Sequence, residues 1–80
     1  MKVKYHVYGR PDCPYCEQAK SLLFNMGQEY VYFDLTDNEA IKQRFRDEGW
    51  TTVPQIEAIY PLNTRKHIGG YDNLKEYFNA

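Results

Sequence analysis

The motif Cys13-Pro14-Tyr15-Cys16 constrains the fold of this chain more than any other stretch. It follows an apolar, alternating run at residues 3–8 that is typical of a β-strand, and it precedes apolar residues at helical spacing (19, 22, 23 and 26). Residues three apart share one face of a helix, so the two sulfurs lie within disulfide reach without movement of the backbone. The motif therefore predicts a strand, a loop and a helix, with a pair of thiols at the junction that can form and open a disulfide.

Cys13 is predicted to be the reactive thiol. Pro14 has no N–H and suits the first turn of a helix, which places Cys13 at the N-cap. Unpaired N–H groups and the positive end of the helix dipole favour a thiolate at that position. Cys16 falls on the apolar stripe of Ala19 and Leu23, so we expect it to be the less exposed thiol and to resolve a mixed disulfide formed on Cys13.

Other interpretations of Cys-x-x-Cys have weaker support. A structural disulfide closing about four residues would contribute only about 2 kcal/mol. A zinc site needs two more ligands, and His6 and His67 lack the paired spacing of a zinc module, so we predict no metal site. Both histidines are expected to be solvent-facing strand residues. A zinc half-site and two inert, buried cysteines remain alternatives to redox chemistry.

The 80 residues are enough for one small domain, and 42% of them are apolar, which suffices for a packed core. The net charge of −1 gives no footprint for nucleic acid or for a membrane surface. Residues 1–6 alternate like a strand instead of forming a signal sequence, and no apolar run has the length of a membrane span. We therefore expect a cytoplasmic monomer, a compartment where a cysteine pair is more often catalytic than structural.

The first half of the chain continues with a helix over about 14–26 that ends at Gly27 and a strand over 29–35. This second strand is expected to run parallel to the first, because a helix connects the two. Thr36 and Glu39 have the spacing of a capping box, which predicts the start of a second helix that ends at Gly49. Most of its mixed-sign polar face is expected to be solvated, although Gln43 or Arg46 would reach a ligand carboxylate if this face borders the site. The face consists of Lys42, Gln43, Arg44, Arg46, Asp47 and Glu48. Trp50 is expected to pack.

In the second half, Pro54 marks the start of a strand over 55–60, because proline cannot donate to a sheet ladder. Residues 60–64 form a turn and residues 65–68 return as an antiparallel strand. Gly69 and Gly70 lead into a last helix with Asp72 or Asn73 as its cap. The predicted order is βαβαββα.

At this point the chain resembles a glutaredoxin of the thioredoxin fold, over nearly its full length. The resemblance rests on the stretches 10–16, 52–56, 68–70 and 71–74 in this order. It implies an α/β fold in which three helices flank a four-stranded mixed sheet, and one glutaredoxin domain over residues 1–80.

The resemblance also implies a cis bond before Pro54 and a groove for glutathione as an extended tripeptide. Val53 would pair its backbone with the cysteinyl unit and Tyr15 would flank it. Arg10 would bind the glycyl carboxylate, and the helix start at 70–73 would bind the γ-glutamyl group. Asn73 departs from the Asp of many relatives, so Asp72 alone would balance the γ-glutamyl ammonium. The implied glutathione-binding residues are Arg10, Tyr15, Thr52, Val53, Pro54, Gly70, Tyr71, Asp72 and Asn73.

The implied activity is reduction of protein disulfides and glutathione mixed disulfides by Cys13 and Cys16, with glutathione as co-substrate and no permanently bound cofactor. Oxidised enzymes such as ribonucleotide reductase would be protein partners. One alternative is a thioredoxin-like redoxin recharged by a flavoprotein reductase, although the Trp-Ser-Gly-Phe of such redoxins is absent at residues 68–71. Another is a glutathione-dependent iron–sulfur carrier, although Pro14-Tyr15 replaces the usual Gly-Phe. A third is an interaction module that keeps the fold without the chemistry.

Overall fold

The computed structural model describes residues 2–79 and has the element order βαβαββα that the sequence predicts. The strands are β1 (Lys4–Gly9), β2 (Glu29–Asp34), β3 (Gln55–Tyr60) and β4 (Thr64–Gly69), and the helices are α1 (Pro14–Asn25), α2 (Glu39–Asp47) and α3 (Tyr71–Asn79). Within residues 2–79, no helix combines the length and the apolar character that crossing a lipid bilayer requires.

The four strands form one mixed sheet in the order β2-β1-β3-β4. β1 runs parallel to β2, with Lys4 opposite Glu29, and antiparallel to β3. β3 and β4 form the predicted antiparallel hairpin. Because β1 lies inside the sheet and ends at Gly9, the short loop that follows it delivers Cys13 to the carboxyl edge of β1 and β2, where sites of α/β sheets usually form.

The helices cover both faces of the sheet. Val7 is fully buried and packs in one apolar cluster with Leu23 of α1 and Leu74 of α3. Tyr8 points to the opposite face, since successive side chains of a strand alternate, and its hydroxyl accepts a hydrogen bond from Arg44 of α2. Thus α1 and α3 share one face and α2 lies on the other. The buried cluster on the first face consists of Tyr5, Val7, Ala19, Leu23, Ile56, Ala58 and Leu74.

Glycines end the first two helices as predicted. Gly27 follows α1 with φ of +68° and Gly49 follows α2 with φ of +78°, both in the left-handed region that glycine adopts without steric cost. The hairpin between β3 and β4 closes through a 3₁₀ turn, Pro61–Asn63.

The predicted capping box at the start of α2 is wrong. Asn38 is the N-cap, and its Oδ1 accepts from the backbone N–H groups of Ala40 and Ile41 at 2.9 and 3.2 Å. The Thr36 hydroxyl instead donates to Asp34 Oδ1 at 2.6 Å. The helix therefore begins two residues later than a Thr36 cap would place it, because Asp34 engages the threonine side chain.

Arg44 is an exception to the polar face of α2 that the sequence predicts to be mostly solvated. Its guanidinium makes two hydrogen bonds to the buried carboxylate of Glu57 in β3, at 2.7 and 2.9 Å, and Tyr8 and Arg65 donate to the same carboxylate at 3.0 and 3.3 Å. Burial alone would raise the pKa of Glu57, but the hydrogen bonds from Arg44 and Tyr8 outweigh it and hold that pKa below its ordinary value. This ion pair fixes α2 against the sheet.

The two histidines differ in their surroundings. His67 is exposed, as predicted, whereas His6 is partly buried and lies edge-on to Phe33 with ring centroids 5.0 Å apart. The Nδ1 atom of His6 is buried without a hydrogen-bond partner, and burial lowers the pKa of this imidazole. The prediction of a solvent-facing His6 is therefore wrong.

Candidate active site

Cys13 occupies the N-cap of α1, as the sequence predicts. Its backbone is extended (φ −116°, ψ 101°), Pro14 is the first helical residue, and Cys13 Sγ accepts a hydrogen bond from the backbone N–H of Cys16 at 3.2 Å. The sulfur therefore sits where unpaired N–H groups and the helix dipole stabilise negative charge. This environment favours a thiolate at Cys13 when the site is reduced.

Cys13 and Cys16 are joined in a disulfide, with their Cα atoms 5.2 Å apart. Cys16 is completely buried, whereas Cys13 retains 8% of its surface and borders a shallow region with Asp12, Pro14 and Glu17. Of the two cysteines, only Cys13 therefore retains any surface open to solvent. Cys16 is thus the less exposed thiol, as predicted, and the division into an attacking and a resolving cysteine stays a prediction.

Gly9 is a site residue that the sequence analysis did not single out. A Cβ atom at this position would lie 2.7 Å from Cys16 Sγ and 3.0 Å from the hydroxyl oxygen of Tyr32. Real Cβ atoms essentially never come as close as the first distance, and the second is tighter than most real contacts, so glycine lets β1 pass this close to the disulfide without displacing Cys16. A glycine at the end of a strand directly before the motif was the available signal.

A depression of about 240 Å³ lies beside the motif. Tyr15, a residue that is 58% exposed, forms one side, with its ring centroid 6.1 Å from that of Tyr71. The Val53-Pro54 peptide is cis, as the family resemblance implies. The depression is lined by Tyr15, Thr52, Val53, Pro54, Gly70, Tyr71, Asp72 and Asn73, so eight of the nine residues predicted for glutathione come together in one place.

Arg10 is the predicted residue that does not line the depression. It is exposed in the loop between β1 and α1. Gln43 and Arg46 of α2 are the other two residues considered for a ligand carboxylate. Gln43 instead donates to Asp47 at 2.8 Å and accepts from Arg46 at 3.1 Å, both on the same helix. Trp50 packs against Phe45, with ring centroids 5.5 Å apart, as predicted.

The start of α3 is capped differently from the prediction. The helix begins at Tyr71, so neither Asp72 nor Asn73 is its N-cap. Asn73 Oδ1 instead reaches back and accepts from the backbone N–H of Gly70 at 3.0 Å. Gly69 has φ of +118°, and a Cβ there would lie 2.6 Å from this oxygen. The N–H groups that follow Gly70 belong to the first helical turn, where the helix itself supplies no acceptors.

The described residues, 2–79, contain no group of three or more His, Cys, Asp or Glu side chains arranged to hold a metal ion.

A model of the glutaredoxin family matches residues 6–58, a range that includes both cysteines and Pro54. This chain belongs to the glutaredoxin family. With its disulfide at the start of α1, it is a thiol–disulfide redox protein of thioredoxin-like fold.

Relatives agree with this assignment. Glutaredoxin 3 of Escherichia coli is 36% identical over 69 residues, which cover 85% of this chain and 77% of the relative. The hybrid peroxiredoxin hyPrx5 of Haemophilus influenzae is 36% identical over 72 residues, but the chain spans only 28% of its length. The structure is similar to that of a buckwheat glutaredoxin solved as a glutathione complex, with a TM-score of 0.71 and 28% identity over 94% of this chain and 67% of the other.

Proposed function

We propose that this glutaredoxin-family protein is a glutathione-dependent oxidoreductase that reduces protein disulfides and glutathione mixed disulfides. The observation that carries the proposal is the depression beside Cys13 and Cys16, lined by eight of the nine residues expected to bind the tripeptide. The buckwheat relative, which has the same fold, was solved as a complex with glutathione.

In this proposal glutathione lies extended across the depression. The backbone of Val53 pairs with the cysteinyl unit as a one-residue strand addition, and the exposed ring of Tyr15 flanks it. The first turn of α3 receives the γ-glutamyl carboxylate, because its N–H groups and the helix dipole attract an anion. Asp72 balances the γ-glutamyl ammonium, and the exposed side chain of Arg10 extends from its loop to the glycyl carboxylate.

With a glutathione mixed disulfide, the Cys13 thiolate attacks the glutathionyl sulfur. A Cys13–glutathione disulfide forms, and the substrate leaves as a thiolate that takes a proton from water. A second glutathione thiolate then attacks the glutathionyl sulfur, which releases the Cys13 thiolate and glutathione disulfide. This route needs Cys13 but not Cys16.

With a protein disulfide, Cys13 forms a mixed disulfide with one substrate sulfur and the other leaves as a thiolate. Cys16, deprotonated, attacks Cys13 Sγ and expels the second substrate thiolate, which yields the Cys13–Cys16 disulfide seen here. Two molecules of glutathione then restore the dithiol and leave as glutathione disulfide. Oxidised cytoplasmic enzymes such as ribonucleotide reductase are the proposed substrates of this route, with the protein acting as a monomer.

The test compares two sources of electrons for the reduction of a glutathionylated peptide. One reaction contains glutathione, glutathione reductase and NADPH, and the other contains thioredoxin reductase and NADPH. We expect turnover in the first and little in the second, with Cys13→Ser inactive in both. Turnover only with thioredoxin reductase would overturn the proposal and support a thioredoxin-like redoxin.

A further inference from the structure

The side chain of Gln55 connects the depression to the opposite face of the sheet. Gln55 is 8% exposed and does not line the depression. Its Nε2 donates to the backbone carbonyl of Thr52 at 3.0 Å and to the Thr52 hydroxyl at 3.1 Å, and its Oε1 lies 2.7 Å from Nε2 of His67. The side-chain amide thus bridges β4 and the segment that precedes β3.

The chemistry of the partners fixes the orientation of this amide. A carbonyl oxygen only accepts, so the group that faces the Thr52 carbonyl must be the NH₂ of Gln55. Oε1 then faces His67, whose Nε2 must carry a hydrogen. The His67 ring is itself held in place, stacked on Trp50 with centroids 4.9 Å apart and an interplanar angle of 20°.

The position of the Thr52 carbonyl determines the direction of the next N–H. The peptide between Thr52 and Val53 is planar and trans, because the cis bond is the following one, Val53-Pro54. In a trans peptide the C=O and the N–H point in opposite directions. While the carbonyl of Thr52 faces Gln55, the N–H of Val53 must point away from Gln55. Val53 lines the depression, so this is the donor on which the strand addition depends.

We propose that Gln55 is a positioning residue of the glutathione site. By holding the Thr52 carbonyl, it orients the Val53 N–H toward the cysteinyl carbonyl of the tripeptide, and His67 holds Gln55 in turn. This inference rests on the proposed function, since it concerns how the same site presents its donor.

Three substitutions test the hydrogen bonds of Gln55 to Thr52 and to His67 separately. Gln55→Leu removes all three side-chain hydrogen bonds of Gln55 while keeping a side chain of similar size. Gln55→Glu retains an acceptor for His67, but its carboxylate cannot donate to the Thr52 carbonyl. His67→Phe keeps a ring on Trp50 and removes only the donor to Gln55. Gln28→Leu is the matched control, because Gln28 also donates to a nearby backbone carbonyl, that of Met26, at the other end of the sheet.

Steady-state kinetics with a glutathionylated peptide give the first measurement. We expect Gln55→Leu and Gln55→Glu to raise KM about five- to tenfold with kcat within about twofold of wild type, since they weaken one backbone hydrogen bond to the substrate. His67→Phe should have a smaller effect in the same direction, and Gln28→Leu none. Gln55→Glu keeps the test decisive if Gln55→Leu does not fold.

The second measurement follows backbone amide resonances when glutathione forms a mixed disulfide with Cys13 in a Cys16→Ser background. The Val53 amide should shift strongly with native Gln55 and much less with Gln55→Glu, while the amides of residues 71–73 shift equally in both. Unchanged KM values together with an unchanged Val53 shift would overturn the role of Gln55. If the protein with native Gln55 shows neither saturation nor any shift at Val53 or residues 71–73, the glutathione site itself is refuted.

Discussion

Cys13 Sγ accepts a hydrogen bond from the backbone N–H of Cys16, 3.2 Å away. One residue of the pair thus supplies both the partner sulfur of the disulfide and a backbone donor to the attacking sulfur. When the disulfide opens, negative charge on Cys13 remains in contact with this donor and with the end of the helix dipole. The local geometry of α1 is therefore sufficient to make the two cysteines chemically different.

The roles of the two cysteines can be separated by substitution. Cys13→Ser should abolish all turnover, because the sulfur proposed to attack the substrate is lost. Cys16→Ser should retain reduction of glutathione mixed disulfides and lose reduction of protein disulfides, because only the second route needs a resolving thiol. Parallel assays with a glutathionylated peptide and with a disulfide-containing protein check this. If Cys16→Ser proves inactive in both assays while Cys13→Ser does not, the assignment is reversed.

Gly9→Ala should damage the site. The new Cβ would meet Cys16 Sγ and the Tyr32 hydroxyl, and relieving such a clash costs about 1–3 kcal/mol of unfolding free energy. Displacement of the sulfur should also lower turnover of a disulfide substrate by at least about tenfold.

Gly27→Ala is the control for Gly9→Ala. It faces open space, so it should cost about 1 kcal/mol through its positive φ and leave turnover unchanged. Urea denaturation and turnover measurements on both variants distinguish the clash from a general loss of stability. Equal turnover in the two variants would contradict the close approach at Gly9.

Arg44→Met should destabilise the fold by about 3 kcal/mol, because it leaves the buried carboxylate of Glu57 without its bidentate partner. Arg46→Met is the matched control on the same helix. Arg46 is exposed and its ion pair with Glu39 spans 3.9 Å, so its loss should change the unfolding free energy by about 0.5 kcal/mol or less. Urea denaturation at neutral pH compares the two, and similar losses would show that the Glu57 pair does not fix α2.

The lowered pKa of Glu57 also predicts how the unfolding free energy depends on pH. Its pKa in the folded protein lies below its ordinary value of 4.5, so its stabilising contribution is complete above that pH and disappears as the pH falls through the folded pKa. Unfolding free energies measured from about pH 5 downward should therefore fall less steeply for Glu57→Gln than for the unmodified chain, by up to about 1.4 kcal/mol per pH unit.

The loss of stability caused by His6 begins at a higher pH than the loss caused by Glu57. Burial holds the pKa of His6 in the folded protein below its ordinary value of 6.5. The contribution of the neutral imidazole to the unfolding free energy is therefore lost as the pH falls from 6.5 to the folded pKa. Identical slopes for Glu57→Gln and the unmodified chain below about pH 5 would contradict a depressed pKa at Glu57.

The elements and the cysteine site could be predicted because their signals are local. Gly27 and Gly49 stop helices through their own backbone freedom, and Pro14 places Cys13 at the N-cap by its missing N–H. The residues around the depression were predicted from the family resemblance and not from the periodicity of the sequence. The structure brings eight of them together in one depression, and their role in binding glutathione stays a prediction.

What the sequence did not predict depends on contacts between distant residues or on competition among neighbours. Arg44 looked like one charge of a solvated face, and only the packing of α2 on β3 shows that it pairs with Glu57. Thr36 had the spacing of a cap, but Asp34 binds its hydroxyl and Asn38 takes its place. The bridge from Gln55 to Thr52 and His67 likewise requires the sheet to be formed.

The most direct test of the central claim is the pH dependence of alkylation of Cys13 in reduced Cys16→Ser protein, measured with iodoacetamide. An ordinary cysteine reacts with an inflection near its pKa of about 8.5. If the start of α1 holds the Cys13 sulfur ionised, the rate should already be near its plateau at pH 7. An inflection at or above that of an ordinary thiol would contradict an activated cysteine, and with it the proposed chemistry.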